Sequence, residues 1–491
     1  MMTPTGGKHG TLLQQIAHRV MIERGLEPDF PLAAQEELAR IQGQAIDIGG
    51  AVVDLRALPW CSIDNDDTRD IDQISVAEAL PDGAVRLMVG VADVTALVRP
   101  HTAIDKHAQH NTTSVYTAAQ IFPMLPEKLS TDLTSLNPHL DRRAVVVDMV
   151  FDREGLPVSS GVREALVHNH AQLAYDSVAA WLDGSAAMPR AMAALSGLDE
   201  NIRLQVRVAK QLKAQRHTRG ALSFETIRAR PVFEGEVLMD LAEDTKNVAK
   251  ELIEDLMIAT NGVVARFLAA KNFPSVRRVV RTPKHWDLIV ELAAEHGTEL
   301  PLAPDGPALE AFLIAARAAD PVRFPDLSLS VIKLMGAGEY VLELPGGHAP
   351  GHFGLAVRHY SHSTAPNRRY PDIITQRLLK AALAGQPPPY GNEELSALAL
   401  HCTEQENAAK KVERQVEKSA AAMLLAPRVG QTFAAFVTGA SSKGTWVRLI
   451  HPPVEGKLVQ GGSGLKVGQN LHVRLLHTNV DRGFIDFARV K

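Results

Sequence analysis

The 491-residue sequence has only two cysteines, Cys61 and Cys402. Two thiols exclude a disulfide framework and a thiolate metal centre, and they fit a reducing compartment. Long apolar runs are also missing: none approaches the ~20 residues that cross a bilayer. Met1 to Gly10 holds no apolar signal region. The expectation is a cytoplasmic, soluble monomer with no membrane partner. Nor is there a strong net charge. The chain carries −4, which argues against a polyanion-binding surface spread over the whole molecule.

What charge there is lies unevenly. Pro427 to Lys491 carries +6, so the remainder carries −10. A basic tail on an acidic body suits a module that holds nucleic acid, although small β domains are also basic by chance. Composition is otherwise ordinary, with 45% hydrophobic and 22% charged residues. The length predicts two to four domains.

The densest chemistry is the stretch Ser62 to Gln73, in which Asp64, Asp66, Asp67, Asp70 and Asp72 crowd into nine residues. Apolar runs precede and follow it (Ala51 to Val53 and Val85 to Val91). Acids held at the edge of a core repel one another unless a hard cation or cationic side chains neutralise them. A metal site is therefore the first reading and an exposed acidic loop the second.

Periodicity predicts two helices over Thr11–Arg24 and Pro31–Gln42, a helix-turn-helix-like module or a plain helical hairpin. Strand-like runs follow at Arg86–Val91 and Ala144–Phe151, with a turn at Asp152–Gly155. Gly220–Glu225 reads as a short strand. Asp244 to Lys271 reads as a helix that Asp244 could cap, with Asn247, Lys250, Glu254 and Asn261 on one polar face. Arg277, Arg278 and Arg281 form a basic cluster. Asn392–Leu425 reads as a long charged helix. Beyond Gly430, short β segments with Gly-rich turns predict a small barrel of the oligonucleotide-binding type. The predicted fold is a mixed α+β body between a short helical module (1–48) and a C-terminal β-barrel (427–491).

The blocks Ile63-Asp64 … Asp70-Ile71-Asp72, Ser114-Val-Tyr116 … Pro123-Met-Leu-Pro126, Leu133 to Pro138 … Asp141-Arg142, Gly220 to Phe224, and His352-Phe-Gly-Leu … Arg368-Arg369-Tyr370-Pro371-Asp372 occur in that order. Together they resemble the ribonuclease II/ribonuclease R family, whose RNB catalytic domain would here span 49–426, and the final barrel is similar to an S1 domain. The resemblance implies a processive 3′→5′ exoribonuclease that hydrolyses single-stranded RNA with Mg²⁺, or Mn²⁺, to nucleoside 5′-monophosphates. It implies Asp64, Asp70 and Asp72 as metal-site acids, with Asp72 closest to the chemistry. Arg368 would contact the scissile phosphate. Tyr116 and Phe224 would clamp stacked bases, and Glu254 would lie near the RNA 3′ end. Asp66 and Asp67 match no ligand position.

The sequence departs from the family at three places. Gln73 stands where the family has a fourth acid, and an uncharged amide oxygen predicts weaker metal binding. Ala365 and Asn367 stand where Ser and Ile are usual. About fifty helical residues stand where ribonuclease II and R place two cold-shock-type barrels. The alternative function is an RNA-binding RNB protein that has lost turnover through Gln73. In the barrel, Phe433, Phe436 and Trp446 are candidates to stack bases.

Overall fold

The computed structural model describes residues 9–43, 52–226, 229–234, 237–243, 246–441, 444–465 and 467–490. Its centre is a seven-stranded sheet in the order Val53–Asp54, Pro157–His168, Asp141–Phe151, Val85–Ala92, Gln73–Ala79, Cys61–Asp64, Ala171–Ala174. Inner pairs are antiparallel, and the outermost pair at each edge is parallel. Valine-rich runs make the central strands, because β-branched side chains fit a pleated surface covered on both sides. Leu87, Val89, Val146 and Val147 are almost wholly buried.

Two buried polar residues of this core, Asp148 and Asn201, have partners. Asp148 takes Arg86 and Arg163, and Asn201 bonds both the N–H and the carbonyl of Ala77. The turn between the two longest strands falls at Asp152–Gly155, as its residues predict. Asp152 Oδ1 accepts the Glu154 and Leu156 amides, and Gly155 takes φ +79°.

The predicted long helices form. Val248–Ala270 buries Leu252, Leu256 and Val263 and is capped by Asn247, whose side chain accepts from the Ala249 and Lys250 amides. Asp244, the expected cap, lies outside the described residues. Asn261 does not share the exposed face with Glu254. It is buried, and its Oδ1 accepts the Ser363 amide and hydroxyl. Asn392–Leu425 runs 34 residues. Its end joins the barrel core through Ala421, Ala422 and Leu425.

The barrel is closed, with strands ordered Thr432–Ser441, Gly444–Leu449, Glu455–Gln460, Phe484–Val490, Asn470–Asn479. In the strand Glu455–Gln460 a glycine and two charges interrupt the apolar alternation. Three helices, Trp286–Glu295, Gly306–Ala319 and Phe324–Met335, build a separate apolar cluster. Asp326 of the last ties it to the barrel through Arg448 at 3.0 Å.

Two expectations fail here. Gly220–Glu225 is an irregular segment without strand pairing, entered through a turn at Gly220. It has to pass the start of the helix Gly306–Ala319, where a Cβ on Gly220 would lie 2.5 Å from Pro307. That glycine also takes φ +91°, a region costly for any other residue. The basic cluster is no free patch: Arg277, Arg278 and Arg281 pair with Glu343, Glu406 and Glu339.

At the N-terminus the helices His9–Glu23 and Leu32–Arg40 form as predicted. The first lays Ile16, Val20 and Met21 against Val412 and Val416 of the long helix and against Val115 and Phe122. The expected boundary near residue 48 lies outside the described residues. No helix among the described residues is long and apolar enough to cross a membrane.

Candidate active site

The acidic stretch is stitched down rather than free in solvent. Ile71 sits between Asp70 and Asp72 and is 1% exposed, an apolar anchor in the core. Its amide donates to Ser135 Oγ, its carbonyl accepts from Leu136, and Ser135 Oγ donates to the Arg69 carbonyl. The Leu133–Pro138 block thus braces the acids from below. On the other side Gln172 Nε2 donates to the Thr68 carbonyl.

Each acid has its own surroundings. Asp64 ends a sheet strand, and its Oδ1 accepts from the Asn65 amide at 2.8 Å and Thr68 Oγ1 at 3.0 Å. Asp70 accepts the Tyr116 phenol at 3.2 Å. Asp72 is 2% exposed. Its Oδ1 takes the Asn367 amide at 2.9 Å and its Oδ2 takes Arg368 Nε at 3.1 Å. Burial pushes the Asp72 carboxyl up to about 7 against the pull of Arg368, with Asp70 adding repulsion. Burial likewise raises Asp64 and Asp70, and Arg368 opposes it at both. Asp66 and Asp67 are exposed, as expected of spectators.

Arg368 is placed by the loop before the helix Tyr370–Leu383. That helix opens with Asp372, wholly buried, accepting the Ala365 amide and Arg369 Nη2. A carboxylate suits a helix N-terminus. Asn367 is buried too, and its Oδ1 accepts Thr134 Oγ1 at 2.6 Å. The Ser114 amide donates to the Arg368 carbonyl, so the same loop carries the hairpin of Val115–Tyr116 and Ile121–Phe122. Glu413 of the long helix accepts the Tyr116 amide at 3.0 Å. The Tyr116 ring stays 40% exposed while its phenol holds Asp70.

Asp64, Asp70, Asp72, Arg368 and Tyr116 therefore form one group. Gln73 opens the next strand opposite Val91, half-buried. Its amide makes no hydrogen bond among the described residues. Phe224 and Glu254 belong elsewhere: together they line a cavity of about 380 Å³ with Lys213, Arg216 and Arg317. Phe224 packs on the separate helical cluster, and exposed Glu254 lies 3.7 Å from Lys246. The neighbouring Asp255 turns inward to Arg216, and burial raises its carboxyl to about 6. Among the described residues, no hydrogen bond or ion pair joins the lining of this cavity to Asp64, Asp70, Asp72, Arg368 or Tyr116.

Three neighbours had no signal in the sequence reading. Tyr175 follows Ala174, which pairs with Asp64 in parallel register. Burial and then the charge of Asp64 push its phenol above the ordinary value. Glu413 and Arg216 come from helices, and only the tertiary packing brings them to the Tyr116 amide and to Asp255.

The donors are hard carboxylate oxygens, depressed in ionisation by burial and by one another, which is the chemistry a divalent cation satisfies. Here Arg368 supplies the counter-charge. Among the described residues, no group of three or more His, Cys, Asp or Glu side chains converges as a metal site.

A seven-stranded mixed sheet carrying buried acids, followed by a closed RNA-binding-type barrel, defines the class. The RNB domain model matches residues 52–385, and the RNase II-type exonuclease C-terminal S1 domain model matches residues 431–490. The chain belongs to the RNB family and carries the S1 domain of its ribonuclease II-type members. It is 31% identical to Ribonuclease R of Escherichia coli (strain K12) over 497 aligned positions, covering 94% of this chain and 60% of that protein. It thus spans about three-fifths of the curated relative's length. Its fold is similar to that of Mycoplasma genitalium RNase R in complex with ribose-methylated single-stranded RNA (TM-score 0.88, 21% identity, 97% and 78% of the two chains). It is also similar to yeast Ssd1, a pseudonuclease (TM-score 0.73, 17% identity, 91% and 55%).

Proposed function

We propose that the protein is a processive 3′→5′ exoribonuclease that hydrolyses single-stranded RNA to nucleoside 5′-monophosphates with Mg²⁺, working as a cytoplasmic monomer. One observation carries this reading. A half-exposed aromatic and a half-exposed guanidinium, Tyr116 and Arg368, are bonded directly to two acids of one group, partly buried Asp70 and buried Asp72. A stacked base, a phosphate and a hard-oxygen site are thereby brought to one place.

Asp64, Asp70 and Asp72 would hold the cation, with Gln73 as a neutral and weaker fourth donor; Mn²⁺ suits the same oxygens. When bound, the ion supplies Lewis-acid polarisation of the phosphoryl oxygen and an acidified water. The chain's own groups do the rest. The Asn367 amide fixes the direction of the Asp72 carboxylate. Arg368 uses Nε on Asp72, and its two Nη groups make no hydrogen bond among the described residues. They are available to a phosphate oxygen whose charge grows in the transition state.

The Tyr116 ring stacks any base, at roughly 1–3 kcal/mol per base. Phe224 would take a second base, and Glu254 a ribose hydroxyl, which favours RNA over DNA. In the barrel, Phe433 and Phe436 are buried beneath Arg428 and Arg448, which leaves half-exposed Trp446 as the stacking candidate. The +6 barrel would add salt-sensitive phosphate attraction.

A second reading, RNA binding without turnover, draws on Gln73, on the lack of three convergent ligands among the described residues, and on the likeness to a pseudonuclease. A 5′-labelled single-stranded oligoribonucleotide incubated with Mg²⁺ separates the two. Stepwise shortening from the 3′ end with mononucleotide release supports the enzyme. Tight binding with an intact substrate supports the second reading.

A further inference from the structure

The ion pair Arg216–Asp255 also lines a second cavity, again of about 380 Å³. It opens between the long sheet hairpin, the helices Leu198–Thr218 and Val248–Ala270, and residues 356–359. Its charge is one-sided. Arg219, Arg266 and Arg358 are exposed around it, and Arg216 and His359 are half-buried. The one carboxylate among its described lining residues, Asp255, is already committed to Arg216.

Neither Arg219 nor Arg266 has an acidic partner among the described residues, and Arg358 reaches only His348 Nδ1, at 3.1 Å. Arg216 Nε and Nη1 and His359 Nδ1 are buried with no hydrogen-bond partner among the described residues. Buried polar atoms ordinarily have partners, so these three are open to a partner atom from a ligand or a water. Burial and then Arg277, with Arg358 and Arg266 adding to them and Glu343 opposing, hold the His359 imidazole below its ordinary value. The remaining wall is mostly apolar, with Phe151 and Ile258, and is interrupted by Ser159, Ser160 and Gln215. Arginines beside an apolar wall, in a volume of small-ligand size, fit a ligand with a flat ring at one end and an anion at the other.

We propose that this cavity binds a nucleoside 5′-monophosphate, its phosphate among Arg219, Arg266 and Arg358 and its base against Phe151 and Ile258. The choice of nucleotide rests on the exoribonuclease reading, which makes this compound the reaction product. The shared Arg216–Asp255 wall would then let product occupancy bear on the Phe224–Glu254 cavity.

The test uses the full chain as an Asp72→Asn, Tyr116→Ala variant, which removes turnover and the proposed stacking site. Calorimetric titration compares adenosine 5′-monophosphate, adenosine and inorganic phosphate. The nucleotide is expected to bind at least tenfold more tightly than either fragment, and Arg219→Glu with Arg358→Glu to weaken it at least tenfold. Single-stranded RNA affinity should stay within twofold in those variants. Three results would overturn the proposal: nucleotide binding no tighter than phosphate, binding indifferent to both arginines, or RNA affinity falling in parallel. If charge reversal lowers the unfolding temperature, Arg219→Gln with Arg358→Gln serves as the second variant. Because binding is read without turnover, loss of this site and failure of the exoribonuclease reading give different results.

Discussion

The acid group and the Phe224–Glu254 cavity would serve the same RNA, yet they are built in opposite ways. Asp72 is enclosed on both oxygens by the backbone amide of Asn367 and by Arg368, and Ile71 pins its loop into the main core. Phe224 lies on a segment without strand pairing, packed on a separate helical cluster, and Glu254 is exposed with one distant lysine. On the proposed function, the contrast follows from what each would have to do. Phosphoryl chemistry loses rate when groups move by an ångström, so its donors are preorganised. Base stacking and ribose contacts serve every sequence and tolerate play.

That difference can be broken or sharpened by experiment. Removing divalent metal with a chelator should have the largest effect. Turnover should fall to background and return with Mg²⁺, while RNA binding, measured by fluorescence anisotropy, stays within a few-fold. Loss of binding in parallel would mean that the cation holds the grip as well. Arg368→Ala should lower single-turnover cleavage about 10²–10³-fold, the usual cost of one charge-stabilising donor. Arg368→Lys should recover little, because a point ammonium cannot span Asp72 and a phosphate.

Tyr116→Ala and Phe224→Ala should each weaken RNA binding by about 1–3 kcal/mol, and they should differ in kind. Tyr116 also bonds Asp70, so its loss should lower the cleavage rate, whereas loss of Phe224 should leave that rate nearly unchanged. Equal rate effects would dissolve the contrast. The smallest effect is on stability alone. Asn247→Ala should lower unfolding stability by about 1 kcal/mol through the lost cap, read from denaturant midpoints, with no change in cleavage rate at saturating RNA.

The two regions also differ in how far the sequence disclosed them. Asp64, Asp70 and Asp72 were legible because the chain concentrates them, and the apolar Ile71 between them signals that they are held. The helix Asn392–Leu425 and the barrel followed from periodicity and turns. Phe224 was placed on a strand that does not form, since six residues of ordinary β propensity cannot reveal that Gly220 must clear Pro307. Asn261 sat correctly on the helical wheel but faces a buried loop, which intrahelical spacing does not encode. Arg216 and Glu413 were invisible for the same reason: whether a helical charge meets solvent or a partner is decided by long-range packing. Gln73 was noticed as a departure, and the structure gives its amide no bond to the acids.

The central claim is that Asp72 does chemistry and the aromatics do gripping. The most direct measurement is single-turnover release of nucleoside 5′-monophosphate at saturating 5′-labelled RNA, wild type against Asp72→Asn, with RNA affinity measured on the same samples. The account predicts a loss of release of at least about 10³-fold with affinity within about twofold. Release that persists in Asp72→Asn, or a wild type that binds RNA tightly and releases nothing, would contradict it.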